Sequence, residues 1–472
     1  MSSSTPSSPS GPSSPSEPSS PKLNRTLGLR SVVLFGLAYM TPLIVLGTFG
    51  VVADATHGAV PIAYALALVA MLFTAHSYGR MAATHPVAGS AYTYVSRAID
   101  GRVGFLIGWA TLLDYFFLPM VIWLIGASYL QAQWPGVPFW VWILAFILLT
   151  TALNVRGIRT AERVNDLLMV FQVLVIAAFV VLSAHHIVQL HGGGGLADST
   201  PFWNNATTVS AVSSGAALAA YSFLGFDAVT TLTEETVDPR RTMPRAILLI
   251  ALIGGGIFVL VAYVTQLAHP GSHFDDTGSA AFEIAKTIGG DVFSSVFLAG
   301  LVVAQTASGI AAQASTARLL YAMGRDDALP RRVFGYIHQR FRTPAFNVLL
   351  TGAVGLIALT LDVATSTSFI NFGAFTAFTF VNLSVIVTFI RERRAGRAPG
   401  VAGHVVAPLI GAAVDVWLLA HLDGRAIELG LAWLVIGILY LAWLTRLFRR
   451  PPPALDFSED DPQDDQRTVG KV

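Results

Sequence analysis

The sequence predicts an all-α integral membrane protein of twelve transmembrane helices, with helices one and six broken and opening two halves of inverted topology. Three observations carry this. Of 472 residues, 54% are hydrophobic and only 12% charged, far from the balance of a soluble chain of this length. The apolar residues fall into runs of about 20, the length that crosses about 30 Å of hydrocarbon as a helix. Two of those runs, five apart, carry helix-breaking residues in their middles.

Taken in order, the chain opens on a Ser/Pro-rich stretch, residues 1–21. Its composition cannot bury enough apolar area to repay ordering, so a disordered cytoplasmic tail is expected. It lacks the charged, apolar and small-residue succession of a cleavable signal peptide. The membrane domain is expected over residues 22–450, with apolar segments near 31–54, 58–79, 103–131, 138–154, 164–188, 208–234, 244–268, 291–318, 345–361, 366–390, 404–421 and 427–447. The stretch Ser272 to Asp291 precedes the eighth segment, and its Lys286 and Asp291 favour a short re-entrant or surface helix at the interface. Residues 451–472 carry Glu459, Asp460, Asp461, Asp464 and Asp465, a solvated acidic cytoplasmic tail.

The basic residues test the helix count. With the N-terminus inside, all but Lys286 and Arg425 of the 29 Lys and Arg residues fall on the cytoplasmic side, as the positive-inside rule requires. One missed or invented helix would scramble every later loop. Both termini are therefore expected in the cytoplasm.

The first break is Tyr39, Met40, Thr41 and Pro42, where Thr41 suits an N-cap and Pro42 the first position of a new helical half. The second lies in YSFLGFDAVTTLTEET, Tyr221 to Thr236. There Ser222 and Gly225 are followed by Asp227, whose side chain is placed to cap a half-helix from Ala228 to Glu235. A carboxylate at this depth costs roughly 2.5 to 3.5 kcal/mol on insertion scales, so it faces a cavity, a partner or a substrate. Asp227 thus has two compatible readings, a cap and an acceptor for an amine or proton. Kinks and glycines are common in membrane helices without any ligand. Breaks at matching positions of two halves point to the midplane site of a secondary transporter.

Other candidates have a plain and a functional reading each. Asp114, in LLDYFF of segment three, has no basic residue near it in sequence. It is either a protonated, hydrogen-bonded carboxyl or part of a site. Tyr39, Tyr115, Tyr221 and Phe226 are ordinary membrane aromatics or a cage for an ammonium group, and Tyr221 and Phe226 flank the break. Glu234 and Glu235 either pair with Arg240, Arg241 and Arg245 or serve gating and coupling. Ser315 and Thr316 either back-bond within their helix or offer oxygens to sodium. Enzyme chemistry finds no support. The chain has no cysteine, and His185 and His186 lack a third ligand at suitable spacing. No strand precedes the Gly192 to Gly195 run, which reads as a flexible external loop rather than a phosphate site. No cofactor, metal or nucleic acid is expected.

SFLGFDAVTTLTEETVDPRRTMPRAI, from Ser222 to Ile247, resembles the sixth helix and following loop of the amino acid-polyamine-organocation superfamily. RLLYAMGRDDALP, Arg318 to Pro330, with Thr343 and Pro344 beyond it, resembles the region before its ninth helix. GSAYTYVSRAIDGRVGFLIGWATLLDY, Gly89 to Tyr115, and INFGAFTAFTFVNLSV, Ile370 to Val385, extend the likeness over about residues 25–445. It is closest to bacterial putrescine importers of that superfamily. The resemblance implies ten core helices in two inverted five-helix repeats plus two accessory helices, working by alternating access. It implies a substrate held between the unwound parts of helices one and six. The amine would meet carbonyls near Tyr221, Ser222 and Leu224, and Asp227 holds the acidic position after the glycine. Amino-acid carriers of the superfamily have a glycine-rich first break whose bare amides receive a carboxylate. Here AYMTPLIV has no glycine between Gly36 and Gly47, and Pro42 removes an amide. That favours an amine without a carboxylate. The expected function is import of a small organic amine or amino acid, coupled to protons in preference to sodium, in a bacterial inner membrane. The rivals are a neutral or cationic amino-acid permease or exchanger and, of another class, a membrane nutrient sensor signalling through its tails.

Overall fold

The computed structural model describes residues 25–86, 90–156, 162–325, 328–397, 400–447 and 449–452. The expectations for the Ser/Pro tail and for nearly all of the acidic tail fall outside these. Segment one appears as α1 (Leu29–Tyr39), α2 (Ile44–Gly47) and α3 (Phe49–Thr56), followed by α4 (Val60–Thr84). A short α5 (Ala91–Ala98) leads into α6 (Gly101–Gln133), α7 (Phe139–Val155) and α8 (Glu162–His191). Segment six is α9 (Val209–Ala219) with the 3-10 turns Ala220–Phe223 and Ala228–Glu234. Then come α10 (Pro239–Ala268), α11 (Ala280–Arg325), α12 (Arg331–Phe334), α13 (Ala345–Val354), α14 (Val363–Arg394), α15 (Ala407–Leu419) and α16 (Gly424–Leu444). Among the described residues the one β contact is an isolated bridge between Leu27 and Thr236.

The protein is all-α, and among the described residues ten helical stretches are long and apolar enough to cross a membrane. The predicted fourth and ninth segments are present as Phe139–Val155 and Ala345–Leu359, both under 18 residues. Seventeen residues rise about 26 Å, just short of the roughly 30 Å core. In α11, Gly290 leaves helical geometry (φ 66°, ψ −166°) and divides the element. A separate short helix therefore precedes segment eight, as its composition suggested. There Lys286 pairs with Asp291 at 3.6 Å, both exposed. The Gly192–Gly195 run is taken up largely in a 3-10 turn, Gly193–Ala197.

Helix starts follow local chemistry. Asp100, Thr208, Asp362 and Asp423 each accept an amide of the turn they open, which satisfies one of the orphan donors there. Small residues set the close contacts between helices: a Cβ on Gly79 of α4 would come within 2.9 Å of the Pro244 backbone in α10. Trp109 of α6 and Trp433 of α16 donate to each other's carbonyls at 2.9 and 2.8 Å, with their rings stacked. Outward faces carry exposed Leu148, Leu174 and Leu439, a surface suited to lipid. Helix α4 lies inside the bundle, packed on α9, α10, α14 and α15, and presents Tyr64, Thr74 and Tyr78, all fully buried. That position makes it the scaffold for the polar groups described next.

Candidate functional site

The two breaks meet. In the first, Thr41 takes a left-handed φ of 49°, and the chain turns over Pro42 with Ile44 N–H donating to the Thr41 carbonyl at 2.9 Å. Thr41 is therefore not the N-cap expected of it. Its hydroxyl points back to the Tyr39 carbonyl at 3.5 Å, and the residue preceding α2 is Leu43. In the second, Leu224 is extended and Gly225 has φ 100°, a conformation that glycine adopts without steric cost. A Cβ at Gly225 would also meet the Tyr39 ring at 2.2 Å. The ring that ends α1 thus rests on the bare backbone of segment six.

The half-helix after Gly225 is wound as a 3-10 coil, and Asp227 makes no capping bond to it. The reason lies in the winding. Ala228 N–H already donates to the Gly225 carbonyl at 3.0 Å and Thr230 N–H to the Asp227 carbonyl at 2.9 Å, so those first-turn amides are occupied. The Asp227 carboxylate instead accepts the Tyr78 hydroxyl of α4. Tyr78 is held by rings on three sides, Phe226 at 5.7 Å, Phe378 at 5.9 Å and Tyr94 at 6.0 Å, and Tyr94 hydrogen-bonds Thr230.

Asp114 enters this group from α6. It lies within electrostatic reach of Asp227 and of Tyr221, and its Oδ1 is buried with no hydrogen-bond partner. Both aspartates are deep in the bundle yet keep part of their surface accessible. Among the described residues neither carboxyl has a Lys or Arg as an electrostatic neighbour. Two such groups without a cation form an unbalanced pair, which a cationic solute would neutralise.

A second polar knot ties the breaks to α4. The Tyr64 hydroxyl sits 3.1 Å from both Thr48 Oγ1 and Ser222 Oγ, which are 3.5 Å from each other. The Tyr129 hydroxyl donates to the Leu46 carbonyl at 2.6 Å. Of the segment-six carbonyls expected to meet an amine, that of Tyr221 is taken by Leu224 N–H at 3.2 Å. Thr41 lines a narrow crevice against Leu301, Ala304 and Gln305 of α11, apart from the carboxyls. Beside the first half of segment six, a cavity of about 250 Å³ lies among Ser214, Leu218, Ala364, Ser368 and the turn His421 to Asp423.

The remaining candidates lie at the periphery of the group. Thr316 Oγ1 is 2.5 Å from the Tyr115 carbonyl and 2.8 Å from that of Ala312, which fastens α11 to α6 next to Asp114, and Ser315 adjoins it half-buried. Glu234 and Glu235 close the 3-10 coil. There the Glu235 carbonyl accepts the Thr26 and Leu27 amides at 2.9 and 3.0 Å, and Arg241 pairs with Asp238 at 3.8 Å. Sequence reasoning missed Thr48, Tyr64, Tyr78 and Tyr94. A signal for two of them exists, since Tyr64 and Tyr78 are fourteen residues apart and so share a helix face.

A family model described as amino acid permease matches residues 31–402. The chain is 43% identical over 434 residues to the low-affinity putrescine importer PlaP of Escherichia coli (strain K12), covering 92% of this chain and 96% of that protein. It is 26% identical to the methylthioribose transporter of Bacillus subtilis (strain 168) over 88% of this chain and 92% of the other. It is also 29% identical to cationic amino acid transporter 4 of Homo sapiens over 80% of this chain and 62% of the other.

Proposed function

The chain belongs to the amino acid permease family and is a multi-pass membrane transporter, not an enzyme, and from that premise we propose that it imports putrescine or a similar small organic amine. The observation that carries this is the pair Asp114 and Asp227, without a basic partner, where the two helix breaks meet. A diamine brings two ammonium groups to two carboxyls. Asp227, oriented by Tyr78, receives one ammonium, and Asp114 receives the other. Phe226, Tyr78 and Tyr221 face the methylene chain and the cationic ends, where aromatic faces attract cations.

The first break disfavours a substrate carboxylate. Its Thr41 and Ile44 amides are spent within the turn, and Pro42 has none. The likeness to an importer named for putrescine supports the same substrate class. In this reading all twelve segments cross a bacterial inner membrane, both termini are cytoplasmic, and two inverted five-helix repeats rock about the breaks in alternating access. Protons drive accumulation by symport, which requires a proton-binding group that the cationic solute does not displace, so the coupling proton is held apart from Asp114 and Asp227.

Uptake of labelled putrescine and of a panel of amino acids into proteoliposomes tests the substrate. Saturable putrescine uptake, abolished by a protonophore and indifferent to sodium, is expected. Transport of neutral amino acids without any amine uptake would sink the substrate assignment, and a strict sodium requirement would overturn the coupling. Cationic amino acids are the second substrate class to include, since one relative is a cationic amino acid transporter. Acceleration of uptake by internal counter-substrate would mark an exchanger.

A further inference from the structure

We propose that Asp415 of α15 is a proton-binding site, separate from the substrate carboxyls, that carries the coupling proton. This rests on the proton-coupled reading above. Asp415 is 0% exposed. Its Oδ2 accepts the Thr74 hydroxyl of α4 at 3.0 Å and the Asn382 amide of α14 at 2.9 Å, and Asn382 Nδ2 also donates to Thr74 Oγ1 at 3.1 Å. The triangle joins three helices through one carboxylate oxygen. The other oxygen, Asp415 Oδ1, is buried without a partner, and so is Asn382 Oδ1.

Among the described residues no cation balances this group. Of the elements packed on α15, α4 carries His76, Tyr78 and Arg80, whose polar atoms are engaged by the Gly403 carbonyl, Asp227 and His404 respectively. Tyr64, also on α4, is bound to Thr48 and Ser222. Helix α14 has its charges at one end, Arg391, Glu392, Arg393 and Arg394, with Glu392 paired to Arg397 at 3.9 Å. The π turn before α15 carries His404, and α9 has no titratable side chain. Among the described residues the interactions on Asp415 are the bonds to Thr74 and Asn382. Burying a bare carboxylate is costly. A proton on Oδ1 removes that charge and turns the orphaned acceptor into a donor, in a cluster where Asn382 Oδ1 waits for one.

The cluster is connected to the substrate carboxyls. Thr74 lies one helical turn from Tyr78, which holds Asp227, and Asn382 lies one turn from Phe378, which packs on Tyr78. Binding and release of a proton at Oδ1 therefore changes the bond that ties α15 to the two helices flanking Asp227. The proton enters on one side of the membrane, resides on Oδ1 while the carrier reorients, and leaves from the same oxygen on the other side.

Asp415→Asn keeps the shape of the neutral carboxyl and cannot titrate. In proteoliposomes, putrescine counterflow at equal pH should persist within about twofold of wild type, while accumulation driven by an inward proton gradient should fall at least tenfold. Infrared difference spectra of the wild-type protein across a pH titration should show a protonated-carboxyl band that is missing from the variant. Gradient-driven accumulation retained in full by Asp415→Asn would overturn the proposal. Should that variant fail to reach the membrane, Thr74→Ala decides, because removing one bond to Oδ2 must displace the pH dependence of accumulation and a profile identical to wild type would count against the site. Wild-type uptake indifferent to the proton gradient would instead refute the coupling reading itself.

Discussion

At the scale of single residues, the carboxylate of Asp227 is defined by what it does not bond. With the first amides of its coil used by carbonyls three residues back, it is left to the Tyr78 hydroxyl. A hydrogen bond to a charged group contributes about 1.5–3 kcal/mol net, and about 1.4 kcal/mol is a factor of ten in affinity. Tyr78→Phe, which keeps the ring packing, should therefore raise the KM for putrescine about tenfold or more at normal protein level. An unchanged KM would remove Tyr78 from the site. Asp227, Gly225 and Asp114 were legible in the sequence because a carboxylate or a break in an apolar run is conspicuous. Tyr78 was not, since a tyrosine in a membrane helix is ordinary until its hydroxyl is seen to meet a carboxylate from another segment.

At the scale of elements, the two breaks work as a pair. Gly225 is needed for its φ of 100° and for its surface, on which the Tyr39 ring rests. Strained backbone of this kind costs a side-chain-bearing residue about 1–3 kcal/mol, and Gly225→Ala adds a clash with Tyr39. We expect Gly225→Ala to lose uptake while still reaching the membrane, and Gly225→Ala combined with Tyr39→Ala to recover part of it. Full uptake by the single variant would contradict the close approach. The sequence located both breaks but misjudged their chemistry. A threonine before a proline suggests a cap, yet here the left-handed turn at Thr41 sends the hydroxyl backwards, and the coil after Gly225 is wound too tightly to be capped by Asp227. At the inner end expected for segment six, Val237 N–H donates to the Leu27 carbonyl at 2.9 Å while the Glu235 carbonyl takes two amides from the segment before α1. The two broken helices are thus tied at their ends as well as at their breaks.

At the scale of the molecule, the placement of the basic residues leads us to propose that both termini are cytoplasmic. The chain has no cysteine, so single cysteines report cleanly. Ser199→Cys, in the exposed loop before α9, should react with a membrane-impermeant maleimide in intact cells, and Gln339→Cys, in the exposed loop before α13, only after permeabilisation. The reverse pattern would invert the topology. The helical membrane class was legible in the sequence; ten stretches among the described residues are long enough to span, and segments four and nine are shorter apolar helices.

Composition, hydrophobic run length and the placement of arginines act along the chain, and a linear sequence carries them whole. They determined that this is a helical membrane protein, that its first and sixth segments are broken, and that Asp114 and Asp227 are costly enough to need a reason. Which groups complete those carboxyls depends on contacts between residues 113 to 341 positions apart, such as Asp114 with Asp227 or Thr74 with Asp415. Such contacts are set by helix crossing and rotation, which packing of small residues and rings decides and local periodicity does not. Only the tertiary structure could therefore show that Tyr78 holds Asp227, that the breaks share the surface of Gly225, and that a third carboxyl, Asp415, is buried against Thr74, one helical turn from Tyr78.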